Sequence, residues 1–279
     1  MTAITLPRSA MTKDGSTYYG GDVPSGAAPN LFADSFESGS MLTPTASVDN
    51  GNFDWGSQAW TYLVDIPSDT ILWRSSGASS EVITPNDWEA SEGNRALRFN
   101  YRANEPMSEQ RFTLDAQPEL YIKYRLRVPT NFYHGNGNNK FFSIFGSTYD
   151  GAGTVTFETR PLTAGACYIY MKDGGAIASD EGDIAFLTAA DAGRWMDILI
   201  HVKTESADGA DDGVIQLSRR FDGEQDYTLL LDKQNAFRQW ESGTLGYREG
   251  YFMGYANGPY SAQTEWMMDE VKFSTAVMS

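Results

Sequence analysis

An all-β fold of two packed sheets is what this sequence predicts, on three observations. Segments of strict polar–apolar alternation recur along the chain, each too short for a helix and bounded by Gly, Asp or Asn. Glycine occurs 27 times and proline 11, and aromatic residues make up 13%, as short strands joined by tight turns require. Long Ala, Leu, Glu or Lys runs with 3.6-residue spacing are missing. With 279 residues and 41% apolar content the chain fits one large sandwich with its own core.

Residues 1–30 stand apart: small and polar, with Gly20-Gly21, Pro24, Gly26 and Pro29 and little periodicity. They read as an extended arm, either a loose terminus or a strap that orders on a larger assembly. The sandwich domain is expected over 31–279. Residues 96–102 set Leu97, Phe99 and Tyr101 opposite Arg98, Asn100 and Arg102. Residues 121–128 set Ile122, Tyr124, Leu126 and Val128 opposite Lys123, Arg125 and Arg127. Residues 140–145, 154–159, 168–171, 195–203, 214–220, 251–255 and 266–273 complete about nine strands. Short helical turns are expected at 188–193 and 233–240.

The net charge of −16 excludes a general nucleic-acid binder, which needs clustered Lys and Arg. Cys167 is the single cysteine, so no intramolecular disulfide forms; it sits in the apolar run Ala166-Cys167-Tyr168-Ile169-Tyr170 and reads as a buried, inert thiol. The first residues lack the apolar stretch of a secretory leader, and nothing approaches the ~20 apolar residues of a membrane span. Synthesis in the cytosol is therefore expected, with the working place extracellular or on a particle surface.

Alternation sends Lys123, Arg125 and Arg127 to one side of their strand, Arg98 and Arg102 to one side of theirs, and likewise His201 with Lys203 and Gln216 with Ser218 and Arg220. On a shared sheet these residues would form a basic stripe suited to carboxylated sugars. The alternative is an ordinary solvated face with cross-strand Arg/Glu pairs. Trp55, Trp60, Trp73 and Trp88 could stack on sugar rings, whereas Trp195, Trp240 and Trp266 read as core.

Three stretches carry a resemblance: Asp34-Ser35-Phe36-Glu37-Ser38-Gly39 with Glu92-Gly93-Asn94-Arg95-Ala96-Leu97; Leu120 through Pro129, continuing to Gly137-Asn138-Asn139-Lys140-Phe141-Phe142; and Glu265 through Ser274. Together with 195–203 and 212–217 they resemble the concanavalin A-like lectin/glucanase superfamily, and within it the polysaccharide-lyase jelly rolls. The resemblance implies a curved jelly-roll sandwich whose concave sheet receives a saccharide chain. It also implies a structural Ca²⁺, with Glu37, Asn94 and Asp269 as its oxygen ligands. The acidic run 208–213 reads as an Asp/Gly hairpin turn.

The Glu-x-Asp-x-x-Glu strand of the superfamily's retaining glucanases does not occur here. A lyase needs a group that neutralises the uronate carboxylate and a Tyr, His or Lys that moves protons. Tyr255, Tyr260, His134 and Lys140 are the candidates for proton transfer. Arg98, Arg102, Lys123, Arg125, Arg127, Asn139, Asn257 and Gln263 are the candidates for glycan contact. Ser108-Glu109-Gln110-Arg111 distantly resembles the arginine-bearing strand of such lyases, while their Gln-Ile-His and Tyr-Phe-Lys-x-Gly motifs are missing. The function expected first is a non-catalytic jelly roll that recognises glycans or stabilises an assembly. It would sit on a phage virion surface as a capsid-decoration, fibre or adhesion subunit. The arm would tether it to other virion subunits, with homo-oligomers as one form, and no organic cofactor is called for. The alternative is a lyase that cleaves uronate glycans by β-elimination. A third reading is a purely structural cement protein.

Overall fold

The computed structural model describes residues 10–13, 16–19, 30–37, 54–56, 71–73, 80–83, 91, 93, 95–133, 137–146, 153–163, 165–173, 176–177, 182–207, 209–236 and 246–278. In chain order the strands are β1 (Ala10–Lys13), β2 (Ser16–Tyr19), β3 (Asn30–Asp34), β4 (Asp54–Gly56), β5 (Ile71–Trp73), β6 (Ser80–Ile83) and β7 (Ala96–Tyr101). They continue with β8 (Met107–Gln117), β9 (Glu119–Arg127), β10 (Asn139–Phe145), β11 (Val155–Thr163), β12 (Ala166–Asp173), β13 (Ala176–Ile177) and β14 (Ile184–Thr188). The last are β15 (Trp195–Lys203), β16 (Gly213–Phe221), β17 (Thr228–Ala236), β18 (Tyr247–Tyr255) and β19 (Thr264–Ser274). A single 3₁₀ turn, Ala189–Asp191, precedes β15 among the described residues.

An eight-stranded sheet runs β13-β12-β11-β10-β18-β8-β4, with β14 on β12; a nine-stranded sheet runs β17-β16-β15-β9-β19-β7-β6-β5, with β3 on β19. All pairings are antiparallel, and the fold is a jelly-roll β-sandwich. Within residues 1–30, β1 and β2 pair as a separate two-stranded ribbon, with β1 lying against β17.

Every one of the nine predicted strands forms. The alternation on β9 translates directly: Leu120, Ile122, Tyr124 and Leu126 are buried, and the residues between them are half-buried. Inner faces meet in a core of aromatic rings, with Phe112 and Phe252 of one sheet against Phe273 of the other and Phe142 packed beside the first two. Trp266 is buried there too, and Trp195 is half-buried. Trp60, Trp88 and Trp240 lie outside the described residues. The turn expected at 188–193 is the 3₁₀ turn, closed by Asp191, whose carboxylate accepts from the Thr188 backbone and hydroxyl.

The helical turn expected at 233–240 is corrected where it is described: residues 233–236 extend β17 along β16. Pairing of Lys233 with Ile215 and of Ala236 with Gly213 holds this stretch extended as part of an edge strand.

Cys167 is 4% exposed, and burial pushes its thiol up to about 12. The folded protein should therefore resist thiol-specific disulfide reagents at mildly alkaline pH, with one thiol appearing on unfolding in guanidinium. A native reaction as fast as that of the unfolded chain would refute this placement.

Candidate functional site

The outer face of the nine-stranded sheet gathers most of the cations singled out in the sequence. Strands β16, β15, β9, β19 and β7 are successive neighbours, so the basic stripe assembles as a shared sheet requires. Its charges are, however, matched on the same face. Arg125 lies 3.5 Å from Asp197 and 3.8 Å from Glu270, and also pairs with Asp222. Arg220 pairs with Asp197, which also accepts from the Tyr227 hydroxyl at 3.2 Å. Lys123 lies over the Tyr227 ring. Arg98 donates to Glu265 at 3.1 Å, and Gln263 donates to the same oxygen at 2.6 Å. His201 stacks on Tyr121, with one ring nitrogen on Glu119 and the other on the Gln216 amide oxygen. This face is a cross-strand ion network, the alternative stated for the stripe. Arg127 belongs to the same strand, and Arg102 is exposed just beyond β7.

The outer face of the eight-stranded sheet is built differently. Registers align Lys172, Thr156, Ser143, Tyr251 and Arg111 in one row across β12, β11, β10, β18 and β8. Tyr170 and Glu158 pair in the adjoining row, with Lys140 opposite Glu158. Alternation puts these residues on the face opposite Phe142, Phe157, Met171 and Phe252, and Ser143, Thr156, Glu158, Tyr170 and Tyr251 are buried there in their turn.

Glu158 is fully buried and is the hub of this face. Its carboxylate takes Lys172 Nζ at 2.8 Å and Lys140 Nζ at 3.5 Å. It also accepts from the Tyr170 hydroxyl at 2.5 Å and from the Asn138 amide. Burial would raise this carboxyl, but hydrogen bonds from Lys172 and Tyr170 and the charge of Lys140 hold it below its ordinary value. Burial and the Glu158 hydrogen bond push the Tyr170 phenol up. Asn257 donates to Asn138 at 3.1 Å and so joins the rim to the hub.

A second buried carboxylate, Glu109, accepts from Arg111 Nε at 2.5 Å. Burial raises it above its usual value, against the charges of Arg111 and Lys140. Glycine at 254 lets these groups meet: a β-carbon there would lie 3.0 Å from Lys140 Cβ, 3.2 Å from the Tyr251 ring and 3.5 Å from Glu109 Oε2. Beneath them the Tyr101 hydroxyl, reaching up from the other sheet, donates to the carbonyl oxygens of Gly254 at 2.7 Å and Ser108 at 3.0 Å, and accepts from Gly254 N–H.

The cations on this face look outward and the carboxylates lie behind them. Side chains of Arg111 and Lys140 are each 19% exposed and that of Lys172 24%, against 4% for Glu109 and 0% for Glu158. Three cations against two carboxylates leave a local positive excess in a chain of net charge −16. Arg160 adds a balanced pair with Asp183.

Of the residues proposed for proton transfer, Lys140 stands in this cluster, and Tyr255 is exposed at the end of β18. Tyr260 is buried in the core, its ring against Tyr101 and its oxygen accepting from Trp266 Nε1. His134 lies outside the described residues. Asn139 is buried in the core, whereas Asn257 is exposed on the rim. The glycan-contact set is thus divided between the two outer faces and the core. Glu37 accepts from the Arg95 backbone, and Asp269, fully buried on β19, accepts from Glu270 N–H. Asn94 lies outside the described residues. Among the described residues no three carboxylate, histidine or cysteine side chains converge on one point. In the 208–213 run, Asp212 accepts from Ser206 N–H and Asp211 N–H donates to Glu205.

Glu158, Tyr170, Lys172 and Tyr251 escaped the sequence reading. The signal was present: in 154–159, Thr156 and Glu158 alternate with Val155 and Phe157, so the strand has one apolar and one polar face.

No protein-family profile and no curated protein sequence matches the chain. Solved structures do. One is a doubly substituted alginate lyase holding an alginate trisaccharide: 13% identity, 78% of this chain, 99% of that one, TM-score 0.51. The marine PL-14 alginate lyase from Aplysia kurodai matches at 13% identity over 70% of this chain and 87% of its own, TM-score 0.51. A further alginate lyase, with a lysine and a tyrosine replaced by alanine and an alginate tetrasaccharide bound, matches at 12% over 75% and 97%, TM-score 0.51. At these identities the likeness is one of fold.

Proposed function

We propose that the outer face of the eight-stranded sheet binds an acidic, uronate-bearing polysaccharide and cleaves it by β-elimination. The observation that carries this reading is the cluster of Arg111, Lys140 and Lys172, half-buried over two buried carboxylates, a positive patch on an acidic protein. Such a patch attracts polyanions and pairs with sugar carboxylates. The fold shared with alginate lyases supports it.

In this reading Arg111 neutralises the uronate carboxylate, which acidifies the neighbouring C5 proton. Tyr255, the exposed phenol at the end of β18, takes that proton in its phenolate form while C4=C5 forms and the C4–O4 bond breaks, and the resulting phenol gives the proton to the leaving O4, which restores the phenolate. Lys140 holds the sugar by charge. The second reading, recognition without cleavage, is favoured by the burial of the other phenols of this face, Tyr170 and Tyr251. A virion location rests on the layout of the sequence alone.

A panel of polyuronates followed by ultraviolet absorbance of the unsaturated product tests this. Absorbance should rise with at least one polyuronate, and Tyr255→Phe should slow the rise by at least about 100-fold. Retained binding with a flat trace across the panel would leave recognition only. No binding and no product would refute the reading.

A further inference from the structure

Glu109 is an odd neighbour for a surface that receives carboxylates. Its side chain is nearly fully buried, its oxygen lies 2.5 Å from Arg111 Nε, and the Lys140 charge reaches it. It sits on the same patch of sheet as Tyr251, with the Tyr101 hydroxyl on the inner side. Among the described residues the charged and titratable groups placed beside it include Arg111 from β8, Lys140 from β10, Tyr251 from β18 and Tyr101 from β7.

Resting on the polyuronate reading, we infer that Glu109 is an internal competitor for the glycan's carboxylates: it holds Arg111 in the empty protein and takes up a proton when a bound uronate draws that guanidinium away. The reason is electrostatic. A carboxylate this deeply buried is tolerable while a guanidinium lies against it. Once Arg111 turns to a ligand carboxylate, two anions share one cation, and the buried one becomes the cheaper to neutralise. The proton comes from solvent and binds the Glu109 carboxylate; no other bond is made or broken. Affinity for polyuronate therefore rises as pH falls from neutral, until the glycan's own carboxylates protonate. A neutral glycan, which leaves the Arg111 pair intact, shows no such dependence.

The experiment is calorimetric titration of the full chain carrying Tyr255→Phe, to suppress turnover, with alginate trisaccharide in buffers of different ionisation heat. About one proton should be taken up per oligosaccharide. Glu109→Gln should abolish the uptake and tighten binding at neutral pH by roughly tenfold. Glu109→Asp, which keeps a carboxylate, should retain part of the uptake and guards against a folding defect in the glutamine variant. Binding without proton uptake, or weaker binding in a folded Glu109→Gln protein, would overturn this inference and leave the polyuronate reading standing. Failure of the oligosaccharide and its longer polymers to bind at all would overturn both.

Discussion

Glu158→Gln is expected to cost about 3 kcal/mol of folding stability, at the low end for removing one member of a buried ion pair. The carboxylate is fully buried, and its loss strands two ammonium groups that lie mostly under the surface. The low end applies because Lys140 and Lys172 retain some contact with water and can turn towards it. For a domain of this size the melting temperature should fall by roughly 6–12 °C. The pH dependence has a definite sign. Glu158 is held below its ordinary value, so its contribution is complete above the unfolded carboxyl's pKa, about 4.3, and is lost as pH falls through the lower folded value. The difference between wild type and variant should be constant near neutrality and shrink in acid. A difference that grows in acid would mean that Glu158 is not a paired carboxylate. The variant should also bind polyuronate less well, since Lys140, Lys172 and the rim amide Asn138 lose their common anchor.

Gly250→Ala is expected to be at least as damaging, for a reason of shape. Gly250 is paired with Ile144 of β10 and Phe112 of β8, and a β-carbon there would run into the Ser143 carbonyl oxygen and the tip of the Phe112 ring. The ring fills the space above the glycine, whereas the carbonyl belongs to the β10–β18 ladder and has no room to retreat. A loss of roughly 3 kcal/mol or more is expected, the upper end for overpacking. A urea titration of Gly250→Ala, Phe112→Ala and the double variant would separate the two clashes. The double variant should lose less than the sum of the single losses, because removing the ring opens half of the space. Strict additivity would show that the carbonyl accounts for all of the strain.

Most of the sandwich was legible because alternation is a direct print of a strand with one buried face. Strand β9 shows it best, with Ile122, Tyr124 and Leu126 inside and Lys123 and Arg125 outside. Strand β8 went unread for the opposite reason. Its first half, Met107-Ser108-Glu109-Gln110-Arg111, is mostly polar, yet residues 107–110, paired with β18, are all buried. Polar residues inside a sheet look, in sequence, like residues in a loop. The edge strand β17 was hidden by three successive leucines, which show no alternation, and only the pairing with β16 makes them a strand.

The candidate site was legible one residue at a time and not as a constellation. Lys140, Asn257 and Tyr255 could be singled out by type, but nothing in the chain says that positions 109, 140, 158, 172 and 251 become neighbours. They do so through registers between strands far apart in sequence. The stripe of Arg98, Arg125 and Arg220 illustrates the converse. Its members do share a sheet, but their acidic partners come from Asp197, Asp222, Glu265 and Glu270, which alternation on single strands does not reveal.

The Tyr101 hydroxyl bonds only to main-chain atoms, Gly254 N–H and the carbonyls of Gly254 and Ser108. The bolt between the two sheets therefore needs no hydrogen bond from the side chains that stand on the outside. Evolution could exchange Glu109, Lys140 or Tyr251 for other residues, and with them the kind of polymer that is gripped, while the floor stays at the same height. A frame of this sort lets ligand preference drift without a new fold. It also makes the outer face a natural target for directed evolution, with residue 101 left alone and the surface above it randomised.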